Sequence, residues 1–304
     1  MSDYLDSAIE IFKLGSRTSQ RRYGLPIVVT YSGGKDSDAL IEVAKASGEP
    51  FEVHHSHTTC DAPETVYHIR KKFRQLELEG IKCNIEHPMY KGGHISMWTL
   101  IPEKLMPPTR LVRYCCGVLK ETGCADRMIA TGVRWQESTK RKTRAEFETI
   151  TKDTKDSTKA DYETMLMNDN TETRKIIEHC MKKNKVVCNP IISWTEKEVW
   201  DLLTDLKIKT NPLYEKGYKR VGCIGCPIGT ACNRKKEFAD YPKYKYLYIK
   251  SFDKMIERRK QKGLNCNWQT GEEVFLWWVE DKNIKGQLMF GDNGEITDNL
   301  IDNY

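Results

Sequence analysis

The chain has 304 residues, of which 30% are charged and 39% hydrophobic, and a formal charge of +6 at pH 7. That length is enough to bury a large core, and no run approaches the roughly 18 uninterrupted apolar residues that span a membrane. With neither a basic leader nor a cleavable apolar core in MSDYLDSAIEIF, the expectation is a cytoplasmic globular protein with no membrane partner. Its basic excess suits anions, nucleotides and nucleic acids alike.

Leu5, Ala8, Ile9 and Phe12 recur at helical spacing and predict an amphipathic helix within residues 1–24. The apolar run from Ile27 to Tyr31 then leads into Ser32-Gly-Gly-Lys-Asp-Ser37 and a helical pattern carrying Ala39, Leu40, Val43 and Ala44. Strand, glycine turn and helix in that order aim backbone N–H groups and the positive end of a helix dipole at one point. Gly33 and Gly34 allow a tight bend and close approach, Ser32 and Ser37 add hydroxyls, and Lys35 adds a positive charge. An anion belongs there. The glycine spacing and the place of the lysine both differ from the Walker pattern.

Phe51 to Thr58 reads as a second strand after the Gly48-Glu49-Pro50 turn. Asp61 is the expected N-cap of the next helix, with Pro63 and Glu64 in its first turn and Val66, Ile69, Phe73 and Leu76 on its buried face. Ile81 to Glu86 is the third strand. This β-α-β alternation predicts an α/β fold, a parallel sheet with helices on both faces and ligands at the carboxyl ends of its strands. His54, His55 and His57 make a poor three-histidine metal site, because on a strand His54 faces away from the other two. His57 is expected at the strand end, near the nucleotide.

Lys91 to Pro108, with Gly92-Gly93 and Pro107-Pro108, reads as a loop, and Met128 to Val133 as a core strand. Directly after it come Arg134, Ser138, Lys140, Arg141, Lys142 and Arg144. Guanidinium forks suit phosphate or sulfate oxygens, so Arg134, Ser138 and Arg144 join the loop residues as candidates for holding the anion. Residues 146–185 form a charged insertion with an expected helix near Thr173 to Lys182, after which Thr195 and Glu198 form a capping box. The expected organisation is an N-terminal helix (1–24), a nucleotide-binding α/β domain (25–210) and a cysteine-rich helical region (211–304). In the last, Tyr241 to Tyr248 and Phe275 to Val279 read as core-packing helices.

Eleven cysteines in a chain of this kind argue against a disulfide framework. Cys115 and Cys116 are adjacent, Cys223 and Cys226 form a CxxC, and Cys232 follows. Such spacing admits buried thiols, a structural zinc ion or an iron–sulfur cluster.

SGGKDS, HTTCDAPET, RYCCGVLK, GVRWQES, NPIISW with EVW, and NPLYEKGYKRVGCIGCP run in order from about residue 25 to 230. Together they resemble the phosphoadenylyl-sulfate (PAPS) reductase family of the adenine nucleotide alpha hydrolase superfamily. The resemblance implies an enzyme binding an adenine nucleotide, ATP or a sulfonucleotide (APS or PAPS), with Lys35, Asp36 and Arg134 as catalytic residues and Mg2+ at Asp36 if the nucleotide is ATP. It further implies a 4Fe-4S cluster on Cys115, Cys116, Cys223 and Cys226, with Cys232 an alternative ligand. A reductase of this family also carries a nucleophilic cysteine in a C-terminal tail flanked by Glu, Gly and His. Here the last cysteine is Cys266 in LNCNWQ and the chain ends GDNGEITDNLIDNY, so nucleotide-dependent sulfur transfer is expected ahead of strict sulfonucleotide reduction. A third reading is a non-catalytic iron–sulfur nucleotide sensor in a nucleic-acid modification or defence complex. The sulfur donor or acceptor stays open, nucleic acid is a candidate acceptor, and a homo-oligomer is compatible with the sequence.

Overall fold

The computed structural model describes residues 3–124, 126–150, 185–280, 288–290 and 296–298. Most of the charged insertion, with the helix expected at Thr173 to Lys182, lies outside the described residues. In chain order the elements begin with α1 (Asp3–Tyr23), β1 (Ile27–Thr30), α2 (Lys35–Ser47), β2 (Phe51–Ser56), α3 (Pro63–Leu78) and β3 (Cys83–Glu86). A hairpin of β4 (Met89–Tyr90) and β5 (Gly93–His94) follows, then α4 (Met97–Lys104), α5 (Tyr114–Leu119), β6 (Met128–Ala130), β7 (Phe147–Ile150) and β8 (Lys185–Cys188). The remainder comprises α6 (Glu196–Asp205), α7 (Ala231–Asp240), α8 (Pro242–Gln261), α9 (Gly271–Glu280), β9 (Leu288–Phe290) and β10 (Ile296–Asp298). The chain divides into two compact units, Met1–Ser96 with Leu111–Cys223, and Met97–Arg110 with Ile224–Tyr304.

The first unit is built on a six-stranded sheet ordered β3-β2-β1-β6-β8-β7. Every pairing is parallel except that of the edge strand β7 with β8. β1 is short, β-branched and buried on both faces, with Ile27, Val28 and Val29 all 3% exposed or less, as a strand covered from both sides must be. Its core takes in Ala8, Ile9 and Phe12 of α1, Leu40 and Val43 of α2, Ile69 and Phe73 of α3, and Leu202 and Leu203 of α6. The chain runs outward from β1 to β2 and β3, then returns to the other side of β1 with β6. That reversal opens a crevice beyond the carboxyl ends of β1 and β6, the place where open α/β sheets bind ligands.

The sequence expectations need four corrections. β2 stops at Ser56, not Thr58, because the chain turns through Thr59 at φ +66°. Asp61 does not cap α3: the cap position is Ala62, with no side-chain bond, and Asp61 Oδ2 turns back to accept the Thr58 N–H at 3.2 Å. Lys91 to Pro108 is not a loop, since Met97, Leu100 and Ile101 share one buried face of α4. At the start of the charged insertion, Phe147–Ile150 pairs with β8 as an edge strand. The capping box at Thr195 and Glu198 is present as expected.

The second unit is helical around an aromatic core of Phe238, Tyr248, Phe252, Phe275 and Trp278. Tyr248 and Trp278 also satisfy their polar atoms on the carbonyls of Ile224 and Pro108. The aromatic residues of α8 and α9 that lie in this core serve packing.

Candidate functional site

The loop between β1 and α2 is held from inside and from below. Ser37 Oγ donates to the Gly34 carbonyl at 2.7 Å and accepts from the Ser32 N–H at 3.3 Å, tying the two ends of the turn together. Gly33 has φ +76°, and a Cβ there would stand 2.9 Å from Ile69 Cγ1. Only glycine fits that position, both in backbone and in space. Beneath it the fully buried Asn211 donates to the Gly33 carbonyl at 3.0 Å and to Thr65 Oγ1 at 3.1 Å. Tyr214, three residues on, accepts the Lys35 N–H at 2.9 Å, the first amide of α2.

Lys35 is only 6% exposed. Its ammonium lies 3.5 Å from Asp36 Oδ2, 3.7 Å from Glu196 Oε1 and 5.7 Å from the centre of the Tyr214 ring. Asp36 Oδ1 in turn accepts from Arg134 Nε at 2.6 Å. Arg134 is 3% exposed, and its other donors reach the Trp194 carbonyl and Gln136. The loop after β6 is pressed against the first turn of α2, since a Cβ at Gly132 would lie 2.9 Å from the Asp36 carbonyl oxygen. Ser32, Gly33, Gly34, Lys35, Asp36, Ser37 and Arg134 thus come together at the crevice. Among the described residues Ser138 and Arg144 do not bond to this loop. Ser138 is exposed, with its carbonyl taken by the Arg141 N–H, and Arg144 grips Glu148 with a two-pronged pair at 2.9–3.1 Å.

A second group of side chains lies at the carboxyl end of β2 in the same unit. The Cys60 and Cys223 thiols converge on one hydroxyl, each lying 3.5 Å from Thr58 Oγ1, close enough for each to shift the other's titration. Backbone bridging between Asp61 and Cys223 brings these distant segments together. Cys115 and Cys116 form a bonded pair on α5, with the Arg113 guanidinium 3.4 Å from Cys116 Sγ. The Cys115 bond, with Arg113 and Lys120 adding positive charge, holds Cys116 well below the ordinary thiol range. Cys60 and Lys120 lower Cys223 likewise, while Cys60 itself is pushed up by Cys223 and by burial. Lys120 therefore faces both pairs. Cys226 and Cys232 belong to the second unit, Cys226 in a turn whose carbonyl accepts the Gly229 N–H at 2.9 Å and Cys232 exposed at the start of α7.

Of the histidines, His54 is engaged with Ser56, Asn84 and Glu86. His55 is buried with its Nδ1 2.9 Å from the Tyr31 carbonyl, and His57, just past β2, stands edge-on to His87. Burial holds both His55 and His57 below the usual imidazole range. Four site residues escaped sequence reasoning: Cys60, Lys120, Asn211 and Tyr214. The only signal for them was their place inside HTTCDAPET, RYCCGVLK and NPLYEKGYKRVGCIGCP.

The family model for the phosphoadenosine phosphosulfate reductase domain matches residues 26–228. The chain belongs to this family. Its reductase-family domain has the adenine nucleotide alpha hydrolase fold, and the match covers every element around the glycine loop together with both thiol pairs. An uncharacterized protein of Methanocaldococcus jannaschii is 25% identical over 253 residues, covering 80% of this chain and 44% of that protein. The chain spans about half the length of the first curated relatives it matches, 44% of one and 48% of another. An adenosine 5'-phosphosulfate reductase of Staphylococcus epidermidis is 24% identical over 233 residues, with 74% of this chain and 79% of that protein covered. Among solved structures, the phosphoadenylyl-sulfate reductase of Candida auris in its phosphate complex aligns over 71% of this chain and 88% of its own, at 16% identity and a TM-score of 0.44. No described helix is long and apolar enough to cross a membrane.

Proposed function

We propose that this family member is an adenine-nucleotide-dependent sulfur-transfer enzyme carrying a 4Fe-4S cluster. The observation that carries the reading is the Ser32–Ser37 loop, braced by Asn211 and Tyr214 at the reversal point of the sheet with the Lys35 ammonium beside it. Loop amides at a helix N-terminus, the Ser32 hydroxyl and a lysine would hold the anionic part of ATP or of a sulfonucleotide, with Ser37 tying the turn that presents them. Arg134 is a positioning residue that fixes the Asp36 carboxylate; with ATP, Asp36 would be the Mg2+ ligand.

The thiols fit an iron–sulfur group. Two of them, Cys116 and Cys223, are already drawn toward the thiolate form that iron binds. Cys115, Cys116 and Cys223 of the first unit would hold the cluster together with one further thiolate. When bound, the cluster would supply electrostatic tuning of the substrate sulfur or, on an open iron, a seat for sulfur.

Turnover of ATP, adenylyl sulfate and its 3′-phosphorylated form, followed as pyrophosphate or sulfite release, tests the reading. Lys35→Ala is expected to lower turnover by about 100-fold or more with folding unchanged, the scale for removing a preorganised charge donor. Unchanged turnover would overturn it. The name of the Staphylococcus relative favours a second reading, thiol-dependent reduction of adenylyl sulfate. Sulfite release that requires Cys266 would select that one.

A further inference from the structure

β2 delivers two histidines to the ligand-binding edge of the sheet, and the turn after it delivers an acid. His55 is the penultimate residue of β2, His57 follows the strand, and Asp61 ends the turn. Each can offer one donor atom within 4.8 Å of the others. We propose that His55, His57 and Asp61 bind one divalent first-row transition ion, Zn2+ or Fe2+, through two imidazole nitrogens and one carboxylate oxygen.

The neighbours of these groups orient them as ligands are oriented. His55 is 6% exposed, and its Nδ1 is taken by the Tyr31 carbonyl at 2.9 Å, leaving Nε2 to bind. An imidazole that donates its other N–H to a carbonyl is fixed in ring position and tautomer, which is the usual support of a metal-bound histidine. Asp61 is 6% exposed, and the Thr58 N–H holds its Oδ2 at 3.2 Å. Donors on a tetrahedral ion with bonds of about 2.1 Å stand about 3.4 Å apart, so a pair at the 4.8 Å limit must close by about 1.4 Å. His57 is partly exposed.

Two imidazoles and a carboxylate suit zinc or iron(II) and leave coordination positions open for water or a substrate atom. Lys120 and Arg70 oppose a cation here, while Asp61 is the acid that faces both rings. The site uses neither the glycine loop nor the cysteine thiols. It is separate from the three-histidine arrangement weighed from the sequence, because His54 is bonded to Ser56, Asn84 and Glu86 instead.

Cobalt(II) is the probe, because thiolate ligation gives it intense near-ultraviolet charge-transfer absorption and ligation by nitrogen and oxygen does not. The full chain, purified and kept reduced without oxygen, would be dialysed against Co2+ as wild type, H57A, D61N, K35A and the double variant C116S/C223S. Wild type, K35A and C116S/C223S are each expected to bind one Co2+ through nitrogen and oxygen, counted apart from any Co2+ that gives the thiolate band, with that nitrogen- and oxygen-bound ion weakened at least about tenfold in H57A and D61N. Equal affinity in H57A and D61N would overturn the site. So would the absence of any nitrogen- and oxygen-bound Co2+ in the wild type, which needs no variant to fold. Loss of nucleotide turnover in K35A with Co2+ binding retained separates this site from the proposed function.

Discussion

The anion loop is six consecutive residues at the end of one strand, whereas the thiols around Lys120 come from residues 60, 115–116 and 223. The loop closes its bonds locally, Ser37 to Gly34 and Ser32, and calls on distant residues only for bracing. The thiol group closes locally only at Cys115 and Cys116, because Cys60 meets Cys223 only where the segment around residue 223 bridges to Asp61. A contiguous motif can be read as chemistry before the fold is known. A constellation needs the fold to exist first.

The sharpest way to break that contrast is to remove the loop's long-range brace. Arg134→Ala would take the buried arginine from Asp36 and leave the carboxylate only the Lys35 ammonium at 3.5 Å, at a cost of about 1.5–3 kcal/mol in chemical denaturation. A loss below about 1 kcal/mol, the value typical of exposed pairs, would mean that the loop does not depend on Arg134. Gly33→Ala is next: the positive φ and the 2.9 Å approach to Ile69 predict a loss of about 1–3 kcal/mol together with weakened nucleotide binding. Wild-type stability in that variant would show that the turn is not held in this conformation.

Tyr214→Phe removes a single acceptor from the Lys35 N–H, for about 0.5–1.5 kcal/mol of stability. Nucleotide affinity measured by calorimetry would rise if that amide is then released to the ligand, and would stay constant if the ligand never uses it. The smallest effect is expected on the thiol side. In metal-free, reduced protein, ultraviolet thiolate absorbance should persist as the pH falls below the ordinary thiol value of about 8.5, because Cys116 and Cys223 hold the charged form. Sign and site are checked together: Cys116→Ser should remove part of that low-pH absorbance, and an unchanged curve would place the lowered thiol elsewhere.

Much of this was legible in the sequence for local reasons. The β-branched run at Ile27, the glycine pair and the Thr195–Glu198 capping box each act through neighbours in the chain. Asn211 and Tyr214 lay within a visible motif, yet nothing in NPLY shows that its asparagine turns under Gly33 or that its tyrosine meets the first amide of α2. Cys60 was hidden in the same way, since a cysteine between Thr59 and Asp61 carries no spacing to another thiol. The Lys91–Pro108 reading failed because its glycines and prolines outweighed the Met97, Leu100 and Ile101 face that fixes α4. Arg144 looked like an anion ligand only because Glu148, four residues on, was read as part of a charged excursion when it belongs to an edge strand.

The most direct measurement is iron, acid-labile sulfide and zinc per chain in anaerobically purified protein, taken with its visible spectrum. The account predicts about four iron and four sulfide, with absorption that bleaches on reduction. About one zinc bound with thiolate character and no sulfide would contradict it, leaving the cysteines as a structural clip beside a nucleotide loop.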